Sequence, residues 1–80
     1  MPEIAGQIIA LITDLKPYHD GIDAETNLLE SGVLDSLALM VLVGELEAAF
    51  DIEIDAGDLV PENFMTVVNI RGLVEAKTNP

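Results

Sequence analysis

A serine and an aspartate stand side by side in the stretch Gly-Val-Leu-Asp-Ser-Leu at residues 32–37, just before a long apolar segment. Asp35 is a good N-cap residue, because its carboxylate can accept hydrogen bonds from N–H groups that a first helical turn leaves unpaired. Ser36 then falls in that first turn, where the positive end of the helix dipole would favour a phosphate on its hydroxyl. These two residues alone are compatible with a plain helix start or with a modified serine.

Hydrolysis by Ser36 is a rival chemistry that the sequence does not support. A serine nucleophile needs a nearby base and a third group that orients the base. The single histidine, His19, has no second ligand or base near it, and we interpret it as a surface loop residue. Ser36 also lacks the glycines two residues away on either side that a nucleophile elbow requires. We therefore expect no enzymatic activity and no catalytic residue.

A calcium loop is a second rival, because four acids occupy positions 1, 3, 5 and 12 of an EF-hand-like spacing. They are Asp51, Glu53, Asp55 and Glu62. The match fails where it is most specific, since Ala56 stands where the sharp turn needs glycine and Leu59 replaces an oxygen ligand. We expect no metal site here.

Three segments at fixed distances carry a resemblance to a known family. They are Leu-Leu-Glu-Ser-Gly-Val-Leu-Asp-Ser-Leu at 28–37, Leu-Glu-Ala-Ala-Phe-Asp-Ile-Glu-Ile at 46–54 and Glu-Asn-Phe-Met-Thr-Val at 62–67. Together they resemble the carrier proteins, which include acyl, peptidyl and D-alanyl carriers, over residues 4–76. The resemblance implies that Ser36 carries 4′-phosphopantetheine, transferred from coenzyme A by a phosphopantetheinyl transferase with magnesium. Asp35 would help to place the metal of that transferase.

Hydrophobic periodicity predicts an all-α domain over residues 1–80, and the resemblance makes it a four-helix carrier-protein bundle. We expect three main helices, at residues 2–15, 36–50 and 67–76, with Pro2 in the first turn, Pro17 ending the first helix and Thr66 capping the last. A fourth, short helix could start at residues 56–59, and a turn at 61–64 would bring the chain back. The long loop at residues 17–34 must be pinned to the core, by Ile22, Leu28, Leu29, Val33 and Leu34.

The helix at residues 36–50 has apolar residues on two faces. The spacing predicts a core-facing stripe made of Met40, Val43, Leu46 and Phe50, flanked by Leu39 and Leu42. A second face holds Leu37, Val41 and Gly44, with Glu45 and Glu47 beside them. Either the small bundle buries this helix on most sides, or these five residues form a partner-recognition surface with an apolar centre and a charged rim. In the second case, charge reversal at Glu47 should slow transfer to a partner without affecting the fold.

The chain is strongly acidic, with 15 Asp and Glu against 3 Lys and Arg. Residues 17–70 hold twelve acids and no Lys or Arg. Such a surface repels nucleic acid and anionic membranes and attracts basic patches on proteins, although solubility alone would also explain it. There is no cysteine, no signal-peptide pattern and no apolar run of transmembrane length, so we expect a cytoplasmic protein. We also expect a monomer.

The resemblance implies a non-catalytic carrier that holds acyl or aminoacyl intermediates as thioesters and shuttles them between partner enzymes. Leu34, the apolar helix face and the 62–66 segment resemble stand-alone aminoacyl, D-alanyl or peptidyl carriers more than the acidic carriers of fatty-acid synthesis. A fatty-acid or polyketide carrier is the alternative within the family. An acidic helical adaptor whose Ser36 is never modified is the alternative from another class.

Overall fold

The computed structural model describes residues 4–15 and 21–78, and all regular structure in these ranges is helical. The α-helices are α1 (Ile4–Leu15), α2 (Ser36–Phe50), α3 (Pro61–Phe64) and α4 (Val67–Thr78), with a 3₁₀ turn at Ala56–Asp58. The predicted all-α bundle of three main helices and one short helix is confirmed. The expectations for Pro2, Pro17 and His19 lie outside the described residues.

The three long helices enclose one apolar core. α1 contributes Ile8 and Ile12, which are fully buried, and packs against both α2 and α4. α4 buries the stripe that its spacing predicts: Val67, Ile70, Leu73 and Val74. Its start is fixed by Thr66, whose hydroxyl accepts the Asn69 N–H at 3.2 Å. Thr66 therefore caps α4 as expected, and the helix runs two residues beyond the predicted end at Ala76.

The core-facing stripe predicted for α2 is partly wrong. The residues that α2 buries are Ala38, Leu42, Val43 and Leu46, whereas Met40 is 57% exposed. Met40 lies two residues from Leu42, which places it about 160° away around a helix with 3.6 residues per turn. The buried face runs from Ala38 through Leu42 to Leu46, with Leu39 and Phe50 half-buried at its edge. Because α2 is apolar on nearly every side, spacing alone could not single out this face.

The loop before α2 is pinned by Leu28, which is fully buried. The Leu28 N–H donates to the Met65 carbonyl at 2.8 Å, and the Leu28 carbonyl accepts the Leu34 N–H at 2.9 Å. A turn surrounds Leu28, and Asn27 caps it by accepting the Glu30 N–H at 2.9 Å. Val33 and Leu34 are buried, while Ile22 and Leu29 are half-buried against the core. The predicted pins therefore hold the loop to the bundle.

The connection after α2 begins at Asp51, which adopts the left-handed conformation with φ 54° and donates its N–H to the Glu47 carbonyl. The short helix expected at residues 56–59 is present as a 3₁₀ helix, Ala56–Asp58. A further short helix, α3, occupies the segment where only a turn was expected. Pro61 is compatible with the first helical turn, and Phe64, 1% exposed, anchors α3 in the core.

Hydrogen bonds and contacts also fix which helix ends lie together. Leu15, at the end of α1, meets the start of α2 near Asp35 and Leu37. The start of α4 lies near the loop that precedes α2, since the Val68 N–H donates to the Ala24 carbonyl at 3.2 Å. Lys77, near the end of α4, contacts the segment that follows α2. Ser36 therefore stands at the end of the bundle where α1 finishes and α4 begins.

Candidate functional site: the capped serine of helix α2

Asp35 is the N-cap of α2, as its residue type predicts. Its backbone is extended, with φ −92° and ψ −178°, and its Oδ1 accepts the Ala38 N–H at 2.8 Å. Its carbonyl accepts the first helical hydrogen bond, from Leu39 N–H at 2.8 Å. The N–H groups of Ser36 and Leu37 are then left without an intrahelical acceptor, as the geometry of a first turn requires.

Ser36 is the first residue of α2 and is exposed. Within residues 4–15 and 21–78, no hydrogen bond or ion pair engages its side chain. The backbone beneath it is held firmly, because Leu34 and Ala38 on either side are 3% and 7% exposed. The site is thus an open hydroxyl on a fixed backbone.

A phosphodiester on this hydroxyl fits the residues that surround it. The Ser36 and Leu37 N–H groups and the helix dipole supply positive potential for one more anion. The Asp35 carboxylate is the opposing charge, and part of it is already engaged by the Ala38 N–H. The exposure of Ser36 leaves the volume that a bulky substituent needs.

The outer face of α2 is open rather than buried. Leu37 is 76% exposed and Val41 is 41% exposed. With Leu15, Asp35 and Ala38 they line a shallow groove of about 200 Å³ between α1 and α2. Gly44 and Glu45 are also exposed on this helix. Of the two interpretations of this face, the structure supports the exposed surface.

Glu47 differs from the other four residues assigned to recognition. It is half-buried, and its Oε2 accepts the Ile54 N–H at 2.9 Å, which ties α2 to the segment that follows it. Reversing its charge would remove this bond, so we expect the change to affect stability as well as recognition, unlike the fold-neutral change predicted from the sequence. The sequence gives no sign of this bond, because it depends on the left-handed turn at Asp51.

Lys77 is a structural residue that the sequence reasoning missed. Its ammonium lies 2.7 Å from Asp58 Oδ2 and 3.5 Å from Asp55 Oδ2, so it holds the end of α4 against the 3₁₀ turn. The hydrogen bond from Lys77 lowers the pKa of Asp58, and the Asp55 N–H lowers it further. The same hydrogen bond to Asp58 raises the pKa of Lys77.

Three acids of the EF-hand-like spacing lie on the connection between α2 and α3, and the fourth, Glu62, lies in α3. Asp51, Glu53 and Asp55 border an open cleft of about 440 Å³ that also contains Lys77. Among the described residues, no three His, Cys, Asp or Glu side chains are grouped closely enough to hold a metal ion. In the same part of the chain, no helix has both the length and the apolar character needed to cross a membrane.

A small helical bundle with an exposed serine at the start of a helix is suited to carry a covalently attached group. A family model described as "Phosphopantetheine attachment site" matches residues 6–76. The chain therefore belongs to the phosphopantetheine-binding carrier family. Its function is that of a carrier, and its cofactor is 4′-phosphopantetheine, whose thiol forms a thioester with the carried group. Members of this family are typically non-catalytic.

Relatives named as carrier proteins support the same conclusion. A D-alanyl carrier protein of Lactococcus lactis subsp. cremoris (strain MG1363) is 33% identical over 99% of this chain and 98% of its own length. A D-alanyl carrier protein of Lactococcus lactis subsp. lactis (strain IL1403) is 31% identical over 96% of this chain and 95% of its own. A probable acyl carrier protein, PigG of Serratia sp. (strain ATCC 39006), is 36% identical over 70% of this chain and 64% of its own.

Proposed function

We propose that residues 1–80 form one carrier domain that holds aminoacyl or acyl groups as thioesters on a 4′-phosphopantetheine arm esterified to Ser36. The observation that carries the assignment to Ser36 is its geometry. It is an exposed hydroxyl in the first turn of α2, next to the Asp35 cap, inside the region that the family model matches. A tethered arm lets one intermediate visit several enzymes at high effective concentration.

Loading is a phosphoryl-group transfer in which this chain supplies the nucleophile. The Ser36 Oγ forms a bond to the phosphorus nearest the pantetheine in coenzyme A. The pyrophosphate P–O bond breaks, adenosine 3′,5′-bisphosphate leaves, and the hydroxyl proton passes to a base of the transferase. The chain has one histidine, His19, which lies 17 residues before Ser36 in the sequence. We therefore assign the catalytic base and the magnesium to the phosphopantetheinyl transferase.

Partner recognition falls to the outer face of α2, where Leu37, Val41 and Gly44 supply an apolar centre. Glu45 supplies negative charge at the rim. Glu47 supplies charge at the edge of this face, and it also accepts the hydrogen bond from Ile54. Transferases and activating enzymes with basic patches fit such a surface. We propose that the protein acts as a monomer in the cytoplasm.

The cargo is an aminoacyl group, with D-alanyl as the first candidate. This assignment rests on two relatives named as D-alanyl carrier proteins that align over almost the full length of both chains. The fatty-acid or polyketide alternative has the weaker support of one probable acyl carrier protein that aligns over 70% of this chain. Loaded protein is offered D-alanine or fatty acids in separate reactions, each with its activating enzyme and ATP. It should gain the mass of one D-alanyl group and no fatty acyl group. A gain from fatty acids alone would favour the alternative.

Loading is tested by incubation with coenzyme A, magnesium and a broad-specificity phosphopantetheinyl transferase, followed by intact-mass measurement. The wild-type protein should gain one phosphopantetheine, and Ser36→Ala should gain none. A gain in the variant would move the site to another residue. No gain with several transferases would favour the unmodified acidic adaptor.

Glu45→Lys is the clean test of the recognition surface, because Glu45 is exposed and Glu47 is not. Charge reversal at Glu45 should slow loading by a transferase with a basic docking surface and leave the unfolding midpoint in urea unchanged. An unchanged loading rate would remove Glu45 from the surface.

A further inference from the structure

In its first turns, α2 has one side that faces a groove beside α1 and another side that does not. Leu37, Ala38 and Val41 face the groove that Leu15 of α1 completes. Met40 takes no part in lining that groove, although it is 57% exposed. Residues four apart on a helix lie about 40° apart around its axis, whereas residues five apart lie about 140° apart. Ser36 therefore shares its side of α2 with Met40 and not with Val41.

We infer that the phosphopantetheine arm leaves Ser36 over Met40 and packs its pantoyl methyl groups on that side chain, away from the groove beside α1. This inference rests on the proposed attachment at Ser36. Of the two apolar side chains one turn beyond Ser36, Leu39 is half-buried and Met40 is exposed. The unbranched thioether of Met40 adapts to the shape of a neighbouring group. An exposed apolar residue on a surface this acidic gains from being covered, and the arm is attached one turn away.

This arrangement separates two tasks on one helix. A partner can hold Leu37 and Val41 while the arm, on the other side of α2, either rests on Met40 or extends into the partner's active site. Met40 is then a positioning residue for the arm, and it adds to the recognition residues without overlapping them.

The methionines of this chain allow a direct test by NMR. The chain contains three, Met1, Met40 and Met65, so ¹³C-methyl methionine labelling gives three signals. Met65 is also exposed, at 38%, but lies between α3 and α4, which makes it a matched reference. In protein whose loading is verified by mass, the Met40 methyl signal should shift and show a nuclear Overhauser effect to the pantoyl methyl groups. The Met65 signal should stay in place.

Two matched variants complete the test, with the arm transferred from ¹³C-labelled coenzyme A. Met40→Gln should return the pantoyl methyl shifts to those of free coenzyme A, and Met65→Gln should leave them as in the loaded wild type. Loaded protein with no shift at Met40, or with a shift at Met65 alone, overturns the inference and leaves the carrier function intact. A chain that cannot be loaded overturns both.

Discussion

At the scale of single residues, Asp35 combines two properties that substitution can separate. Its Oδ1 caps α2 through the Ala38 N–H, and its charge stands next to the hydroxyl that is proposed to be loaded. Asp35→Ala should reduce the free energy of unfolding by about 1 kcal/mol, the usual cost of losing an N-cap. Asp35→Asn should keep most of that stability, because asparagine caps helices as well as aspartate does. Urea denaturation measures both effects.

Loading kinetics on the same two variants tell whether the charge itself matters. If Asp35 helps the transferase to place its metal, Asp35→Asn should load more slowly despite its retained cap. Equal loading rates for wild type and Asp35→Asn would limit Asp35 to its structural role.

Residue types predicted the two helix caps but not the exposure of Met40 or the hydrogen bond to Glu47. The difference is whether a feature depends on neighbouring residues or on tertiary contacts. The cap at Asp35 and the cap at Thr66 were predictable, because each bond spans three residues and depends on local geometry. The exposure of Met40 could not be predicted from the sequence, since it depends on which side of an almost wholly apolar helix packs against α1 and α4. The hydrogen bond from the Ile54 N–H to Glu47 could not be predicted either, because it depends on the left-handed conformation of Asp51.

At the scale of elements, alanine substitutions of Leu28 and Leu37 should change the free energy of unfolding by very different amounts. Leu28 is fully buried and its backbone joins the α3–α4 corner to the start of α2, whereas Leu37 is 76% exposed. Leu28→Ala should lower the free energy of unfolding by about 3 kcal/mol, within the usual range for a buried leucine. Leu37→Ala should change it by less than about 0.5 kcal/mol. Denaturant titration of the two variants makes the comparison.

The same pair separates stability from recognition. Leu37→Ala, although folded, should be loaded more slowly if the outer face of α2 meets the transferase. A large loss of stability in Leu37→Ala would instead mean that its side chain is buried in solution.

The contact between the end of α4 and the 3₁₀ turn depends on pH through Lys77 and Asp58. The pKa of Asp58 is lowered, so its contribution is present above the ordinary aspartate pKa and is lost as pH falls through the lowered value. The pKa of Lys77 is raised, so its contribution is present below the ordinary lysine pKa and is lost as pH rises through the raised value. The pair should therefore stabilise the fold most between about pH 4 and about pH 10.

Lys77→Gln tests this dependence by urea denaturation across pH. The stability difference between wild type and variant should be constant near neutral pH and shrink as the solution becomes acidic. The pKa of Asp23 is also lowered, mainly by the Glu25 N–H, but that contribution is common to both proteins and cancels in the difference. A difference that grows toward low pH would contradict the assignment.

The connection between α2 and α4 also shows what the sequence could not specify at this scale. The pattern predicted a short helix at residues 56–59, where the structure has a 3₁₀ helix, but it predicted only a turn at 61–64, where the structure has α3. Pro61 and the burial of Phe64 favour the helix at the second position. Short elements such as these depend on one or two tertiary contacts, which periodicity does not record.

At the scale of the whole molecule, the net charge of −12 should make stability depend on salt. Like charges on a small domain repel one another, and added salt screens that repulsion. The thermal midpoint should therefore rise across a sodium chloride series. A midpoint that falls or stays flat would mean that attractive pairs such as Lys77 with Asp58 outweigh the repulsion.

Lys77→Gln belongs in the same series as a control. The variant lacks one attractive pair, so screening should raise its midpoint at least as steeply as that of the wild type. A shallower rise in the variant would argue against net repulsion as the cause.

The direction of the helices has a consequence for attachment to larger assemblies. α1 finishes and α4 begins at the end of the bundle that carries Ser36, and each of these helices is about 18 Å long at 1.5 Å per residue. Ile4 and Thr78 therefore lie toward the opposite end. A surface, a tag or a neighbouring domain joined at either terminus would leave the serine outermost, so the carrier could be immobilised from behind without blocking access to its arm.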